Sequence, residues 1–145
     1  MRGWVIRIGL VLAIGAGALV FRDRLSSNAG ELKVGDCFDD PQGASVITDV
    51  QHHPCTESHV AEVVFLGKLP EATTVPADGI VQDWVGRNCI PAWEGYTGKD
   101  WASESILTMG FYQPNSEGWA SGDRVVVCYT VRTDLVPMTS SVRKS

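Results

Sequence analysis

The chain contains no Cys-x-x-Cys pair, no Gly-x-Ser-x-Gly and no His-Glu-x-x-His. The first absence removes the dithiol redox motif and most zinc-ribbon spacings. The second removes the nucleophile elbow of a hydrolase, and the third the helix-borne zinc-protease motif. Repeats and low-complexity stretches are absent as well. Positive charge is scarce in the body. Of 12 Lys and Arg and 17 Asp and Glu, four Arg and one Asp precede Glu31, which leaves 8 cations against 16 carboxylates afterwards. A body of that sign lacks the phosphate-neutralising groups that DNA or RNA binding needs, so no nucleic-acid partner is expected.

Charge is also absent from Ile8 to Phe21. Counted from Gly3 with Arg7 snorkelling, residues 3–21 approach the ~20 residues of a membrane-spanning helix. Gly9, Gly15 and Gly17 would weaken a soluble helix but are tolerated in a membrane. Two fates fit this segment. Arg22 and Arg24 directly after the run, with Val20 and Phe21 where a cleavage site needs small residues, favour a retained anchor. Ser27-Asn28-Ala29 offers the alternative, cleavage of a signal peptide. The expected organisation is an anchor at 1–24, a tether at 25–31, a domain at 32–132 and a loose tail at 133–145.

Basic residues flank both ends of the run, so the positive-inside bias is nearly balanced. The cysteines decide the orientation. Cys37, Cys55, Cys89 and Cys128 all follow the run, and an even cysteine count in a small domain behind an export signal implies disulfides. The N-terminus is then cytoplasmic and the C-terminal domain extracytoplasmic. Three pairings are possible. The expected one joins Cys37 to Cys55, stapling neighbouring strands, and Cys89 to Cys128, tying a helix to the last strand.

Periodicity outlines the domain. "ELKVGDCFDD" and "ASVITDVQ" read as short strands, and His52-His53-Pro54 ends the second. "HVAEVVFLGKL" is a longer strand with His59, Ala61, Val63, Phe65 and Gly67 on one face. Ile80, Val81, Trp84, Val85, Cys89, Ala92 and Trp93 recur at helical spacing, with Asp78 as N-cap and a kink or break at Pro91. "SESILTMGFYQP" and "RVVVCYTVR" supply two more strands around the loop "NSEGWASGD". The fold class is α+β: a small antiparallel sheet of about five strands on one kinked helix.

"HHPCTESHVAEV" gathers His52, His53, Cys55, His59 and Glu62. A zinc reading would use His53, Cys55 and His59, with His52 or Cys37 as fourth ligand, and a metal-dependent hydrolase would use His53, His59 and Glu62. Oxidised Cys55 has no thiolate to offer, and Val63 stands where His-x-x-Glu-His needs its second histidine. In a strand, His59 and Glu62 also point to opposite faces. His59 is therefore expected as a partly buried structural histidine, His52 and His53 as solvated, with no metal and no cofactor. Trp84 and Trp93 belong to the helix stripe. Trp101 and Trp119 lie in loops and are candidates for exposed contacts, including stacking on cell-wall glycan.

"LKVGDCFDD", "VQHHPCTESHVAEVV", a helical Cys89 and "GWASGDRVVVCYTV" occur in that order. They resemble the septum formation-related domain of actinobacteria, whose pattern is L-x-V-G-D-C-F, V-x-C-x-x-x-H-x-x-E-V, a central helical Cys and W-x-x-G-D-R-x-V-x-C. The resemblance covers Leu32 to Val131, while the closing "MTSSVRKS" matches the family's end loosely. It implies a membrane-tethered extracytoplasmic domain linked to septum formation or the cell envelope, and it supplies no catalytic activity. Gly35, Asp36, His59, Glu62, Trp119, Gly122, Asp123 and Arg124, with the four cysteines, match the pattern and are expected as scaffold. The expected function is a non-catalytic interaction domain for another membrane or envelope protein. A close variant is an accessory subunit whose anchor packs through Gly9, Ala13, Gly15 and Gly17. A glycan-binding module is a separate alternative.

Overall fold

The computed structural model describes residues 27–28, 31–39 and 49–145. The apolar run and the stretch 40–48 lie outside the described residues, and the expected anchor with them. Six strands form one antiparallel sheet: β1 (Ser27–Asn28), β2 (Cys37–Asp39), β3 (Asp49–His53), β4 (Ala61–Lys68), β5 (Leu107–Tyr112) and β6 (Val125–Arg132), in the order β1-β3-β2-β4-β6-β5. Helix α1 (Asp78–Thr97) follows β4, and a short helix α2 (Ser116–Ala120) precedes β6. Among the described residues no helix is long and apolar enough to cross a membrane.

The β-branched run of β6 lies between β4 and β5 and is buried on both faces, which is why it reads as apolar without alternation. One face carries α1: Val64, Val126 and Cys128 pack against Val81, Val85, Cys89 and Trp93. The other gathers Phe38, Ala61, Val63, Val127, Tyr129 and Val131, joined by Leu32 and Val50.

Five sequence expectations change. The register of β4 on β6 shifts between Val63 and Phe65. This bulge reverses the face parity, so Phe65 meets Trp84 on the helix side (ring centroids 6.4 Å apart) instead of continuing the Ala61–Val63 face. Gly67 follows it, because a Cβ there would lie 2.5 Å from Trp84. Helix α1 runs unbroken through Pro91. Pro91 is exposed, so water can satisfy the carbonyl that loses its donor. Asp78 is the first helical residue rather than the N-cap, which falls to Ala77, and Ile80 stands outside the buried stripe. The segment after β6 is not loose. Met138 is buried, its N–H bonds the His59 carbonyl at 2.7 Å, and it accepts the His59 N–H at 2.9 Å.

Candidate functional site

The motif residues separate into two clusters on either side of the Cys89–Cys128 disulfide, which pins the middle of α1 to β6. Beside it Trp93 donates to the Thr130 hydroxyl at 3.0 Å, and that hydroxyl donates to the Thr108 carbonyl at 2.8 Å. A buried indole and a buried hydroxyl are both satisfied in this way.

The first cluster is built on Gly35-Asp36. Gly35 has φ +94°, a region glycine enters without strain. The turn lets Gly35 donate to the Val63 carbonyl at 2.8 Å, while the Asp36 carbonyl accepts the Val63 N–H at 2.9 Å. The Asp36 carboxylate closes the turn by accepting the Lys33 N–H at 2.8 Å. Next comes Cys37, which is disulfide-bonded to Cys55 and paired in register with Glu62. The Cys55 sulfur lies 3.4 Å from the Gly35 carbonyl oxygen, a contact rather than a hydrogen bond because a cystine sulfur has no proton.

Glu62 is fully buried in the central strand β4. Its carboxylate accepts the Tyr96 hydroxyl at 2.5 Å, the Ser141 hydroxyl at 2.6 Å and the Val142 N–H at 2.9 Å. Charge-assisted bonds from three donors offset the cost of burying the group. Two of those donors come from the C-terminal segment, whose Lys144 N–H also bonds the Tyr96 carbonyl at 2.9 Å. Burial, the hydrogen bond to Glu62 and the charge of that carboxylate together push the Tyr96 hydroxyl up to about 12.

Both sulfurs of the first disulfide and a Glu62 oxygen lie within 4.8 Å of one another. As cystine the sulfurs have no thiolate for a cation. Among the described residues no grouping unites His53, Cys55 and His59, or His53, His59 and Glu62. His53 instead meets Asp39 at 2.8 Å across β2 and β3, and both His52 and His53 are half-buried rather than solvated. His59 is fully buried, with Nδ1 2.8 Å from the Glu57 carbonyl. Because a carbonyl only accepts, Nδ1 carries the proton, and Nε2 has no hydrogen-bond partner.

The second cluster is the Trp-x-x-Gly-Asp-Arg stretch. Asn115 caps α2 by accepting the Gly118 N–H at 2.8 Å. Trp119 is only 4% exposed, and its indole N–H bonds the Ala72 carbonyl at 3.1 Å. The Arg124 guanidinium stacks 3.9 Å from the Trp119 ring centroid, donates to the Trp119 and Asp123 carbonyls at 2.7 and 2.9 Å, and reaches Glu71 at 3.1 Å. Gly122 has φ +94° and turns the chain so that Asp123 accepts the Val125 N–H at 2.9 Å. The motif therefore clasps the loop after β4 to the start of β6. Trp119, an expected exposed contact, is a buried anchor. Trp101 is half-buried and edge-on to Trp93 at 5.1 Å.

Tyr96, Ser141, Val142 and Met138 were not singled out by the sequence. The signal for Tyr96 was present in Glu62 itself: a carboxylate between buried residues of a central strand must find donors.

The comparison with known protein families matches residues 34–144 to the family described as septum formation. No curated protein and no solved structure matches the chain.

Proposed function

Given that the chain belongs to the septum formation family, we propose that it is a non-catalytic, membrane-anchored interaction domain of the cell envelope. Residues 3–21 hold it to the membrane, the disulfide-bonded domain lies outside, and it engages another membrane or envelope protein during septum formation. The observation that carries this reading is the engagement of the Glu62 carboxylate by three donors of its own chain. Gly35, Asp36, Trp119, Gly122, Asp123 and Arg124 are likewise occupied in turns and clasps, which suits a scaffold presenting a surface. Burial of Trp119 leaves the glycan reading without its intended aromatic pair.

Intact mass of the protein from native membranes tests the anchored, exported state. A mass that retains residues 1–29, with four alkylated cysteines appearing only after reduction, is the expected result. Free thiols without reduction would overturn the exported placement. Photo-cross-linking in dividing cells tests the partner. Cross-links to a membrane or envelope protein are expected from the whole chain, and cross-links to soluble cytoplasmic proteins alone would sink the reading. If the anchor serves only to localise, a domain tethered through an unrelated anchor captures the same partner.

A further inference from the structure

We propose that the free edge of β5 pairs antiparallel with the β5 edge of a second copy of this chain, joining the two sheets across a twofold axis at Met109. The proposal goes beyond the reading above and does not depend on the anchor. Strand β5 ends the sheet order and pairs with β6 alone. The Thr133 N–H bonds the Ile106 carbonyl at 2.8 Å, and bonded and non-bonded pairs alternate along an antiparallel ladder. In the register from Leu107↔Arg132 to Tyr112↔Val127, Thr108, Gly110 and Tyr112 therefore aim their backbone groups at β6. Leu107, Met109 and Phe111 aim theirs outward.

The Glu104 carboxylate takes the Leu107 N–H at 3.1 Å. Among the described residues nothing takes the remaining outward groups, the Leu107 carbonyl and the N–H and carbonyl of Met109 and Phe111. Donors and acceptors at this spacing are met by an extended strand, not by a lipid or a glycan. A twofold axis at Met109 matches the set to itself. Met109 exchanges two bonds with Met109 of the second copy, and each Phe111 N–H meets the Leu107 carbonyl opposite. The bond that would complete the ladder runs from the Leu107 N–H to the opposite Phe111 carbonyl, and that N–H is the one Glu104 already holds.

Native sheet edges are usually guarded by lysine, proline or a bulge. Strand β5 has none of these: Leu107 to Tyr112 contain no charge and no proline, and the register on β6 runs without a shift. Met109 and Phe111 pack against the core on the α1 side, which holds the edge in place. The uncharged stretch extends from Ser105 to Pro114, so the twofold sets no carboxylate opposite another although the body as a whole is acidic. It also sets Ile106, 52% exposed, across from Tyr112 of the second copy, where an aromatic ring and a β-branched side chain support one another. A foreign strand would need neither the match about Met109 nor the place of Ile106. A six-residue contact lies at the low end of interface sizes, so the dimer should dissociate on dilution.

The test uses the full chain in detergent micelles, with a nitroxide amino acid at Ser105 or, separately, at Gln113, both exposed. An antiparallel offset of eight residues places the two Ser105 positions ~27 Å apart, and the two Gln113 positions likewise. Pulsed electron resonance should find both distances in concentrated samples. Mixing the two labelled chains should broaden the continuous-wave spectrum, because Ser105 then faces Gln113. The Met109 and Phe111 amides should lose hydrogen-exchange protection on dilution. Met109→Pro removes an outward donor that β6 does not use and should reduce the paired fraction several-fold. Ile106→Lys, at a side chain already in water, should do the same and carries the test if the proline variant fails to fold. A chain that is single at every concentration overturns the proposal. So does a dimer that gives other distances or survives both substitutions, since it forms elsewhere, for instance through the apolar run. Protection of Met109 and Phe111 in a single chain purified with another protein would place a foreign strand on the edge, which also overturns it.

Discussion

Replacing Glu62 by alanine asks whether the C-terminal segment is part of the fold. The substitution removes the common acceptor of Tyr96, Ser141 and Val142. Hydrogen bonds to a charged group contribute about 1.5–3 kcal/mol each, but the contributions do not simply add. Tyr96 is half-buried and Ser141 exposed, so both hydroxyls can turn to water. The Val142 N–H is fixed and loses its partner outright. Together with the small cavity left in β4, the expected cost is about 3–4 kcal/mol, a large share of the ~5–15 kcal/mol that holds a domain of this size. Glu62→Gln keeps the shape but turns an amide donor toward one of three donors, and should cost about half as much. Urea unfolding followed by fluorescence measures both, while hydrogen exchange reads the Val142 and Met138 amides, which should lose protection in the alanine variant. Deleting residues 138–145 removes two of the donors, so Glu62→Ala added to that deletion should cost far less than it does alone. A cost under about 1 kcal/mol with unchanged exchange at Val142 would refute the idea that this carboxylate locks the segment.

Three further outcomes are expected. Tyr96 sits at about 12 in the folded state against an ordinary value near 10, so the folded form holds the proton more tightly. The associated stability is complete below pH 10 and is lost as pH rises through 12, discounted for the solvent that reaches the ring. Stability curves between pH 9 and 12 should therefore fall more steeply for the wild type than for Tyr96→Phe. Gly67→Ala places a Cβ 2.5 Å from the Trp84 ring and 2.8 Å from the Phe65 ring and should cost about 1–3 kcal/mol in thermal or urea unfolding, because these packed rings must shift to admit it. Opening Cys89–Cys128 by paired alanine substitution should cost about 4 kcal/mol, and opening Cys37–Cys55 about 3, on the chain-entropy view of 39- and 18-residue separations. Unfolding midpoints that rank the other way would argue that local packing, not loop length, sets their contributions.

Local pattern alone determined a good deal. The strand content, the helix with its Val81–Val85–Cys89–Trp93 stripe and the placement of all four cysteines after the apolar run follow from spacing and composition. The expected pairing of Cys37 with Cys55 and of Cys89 with Cys128 came from the same outline, and the structure has both, although Cys55 sits in the turn after β3 and not in a strand. The family was legible because its short motifs are contiguous. Each spans one turn, such as Gly35-Asp36 or Gly122-Asp123, where backbone geometry restricts the residues nearby.

What only the tertiary structure decided depends on contacts distant in the chain. The bulge after Val63 is a register shift of β4 against β6, invisible in the period of β4 alone, and it places Phe65 on the helix side. Trp119 looked exposed because it sits in a polar loop, but the Ala72 carbonyl, 47 residues away in the chain, takes its indole N–H, and Arg124 of the same motif covers its ring. The segment 138–144 is polar and shows no periodicity, so its order was unreadable. Its order comes from a carboxylate 79 residues away from Ser141, whose desolvation makes the donors it finds worth holding.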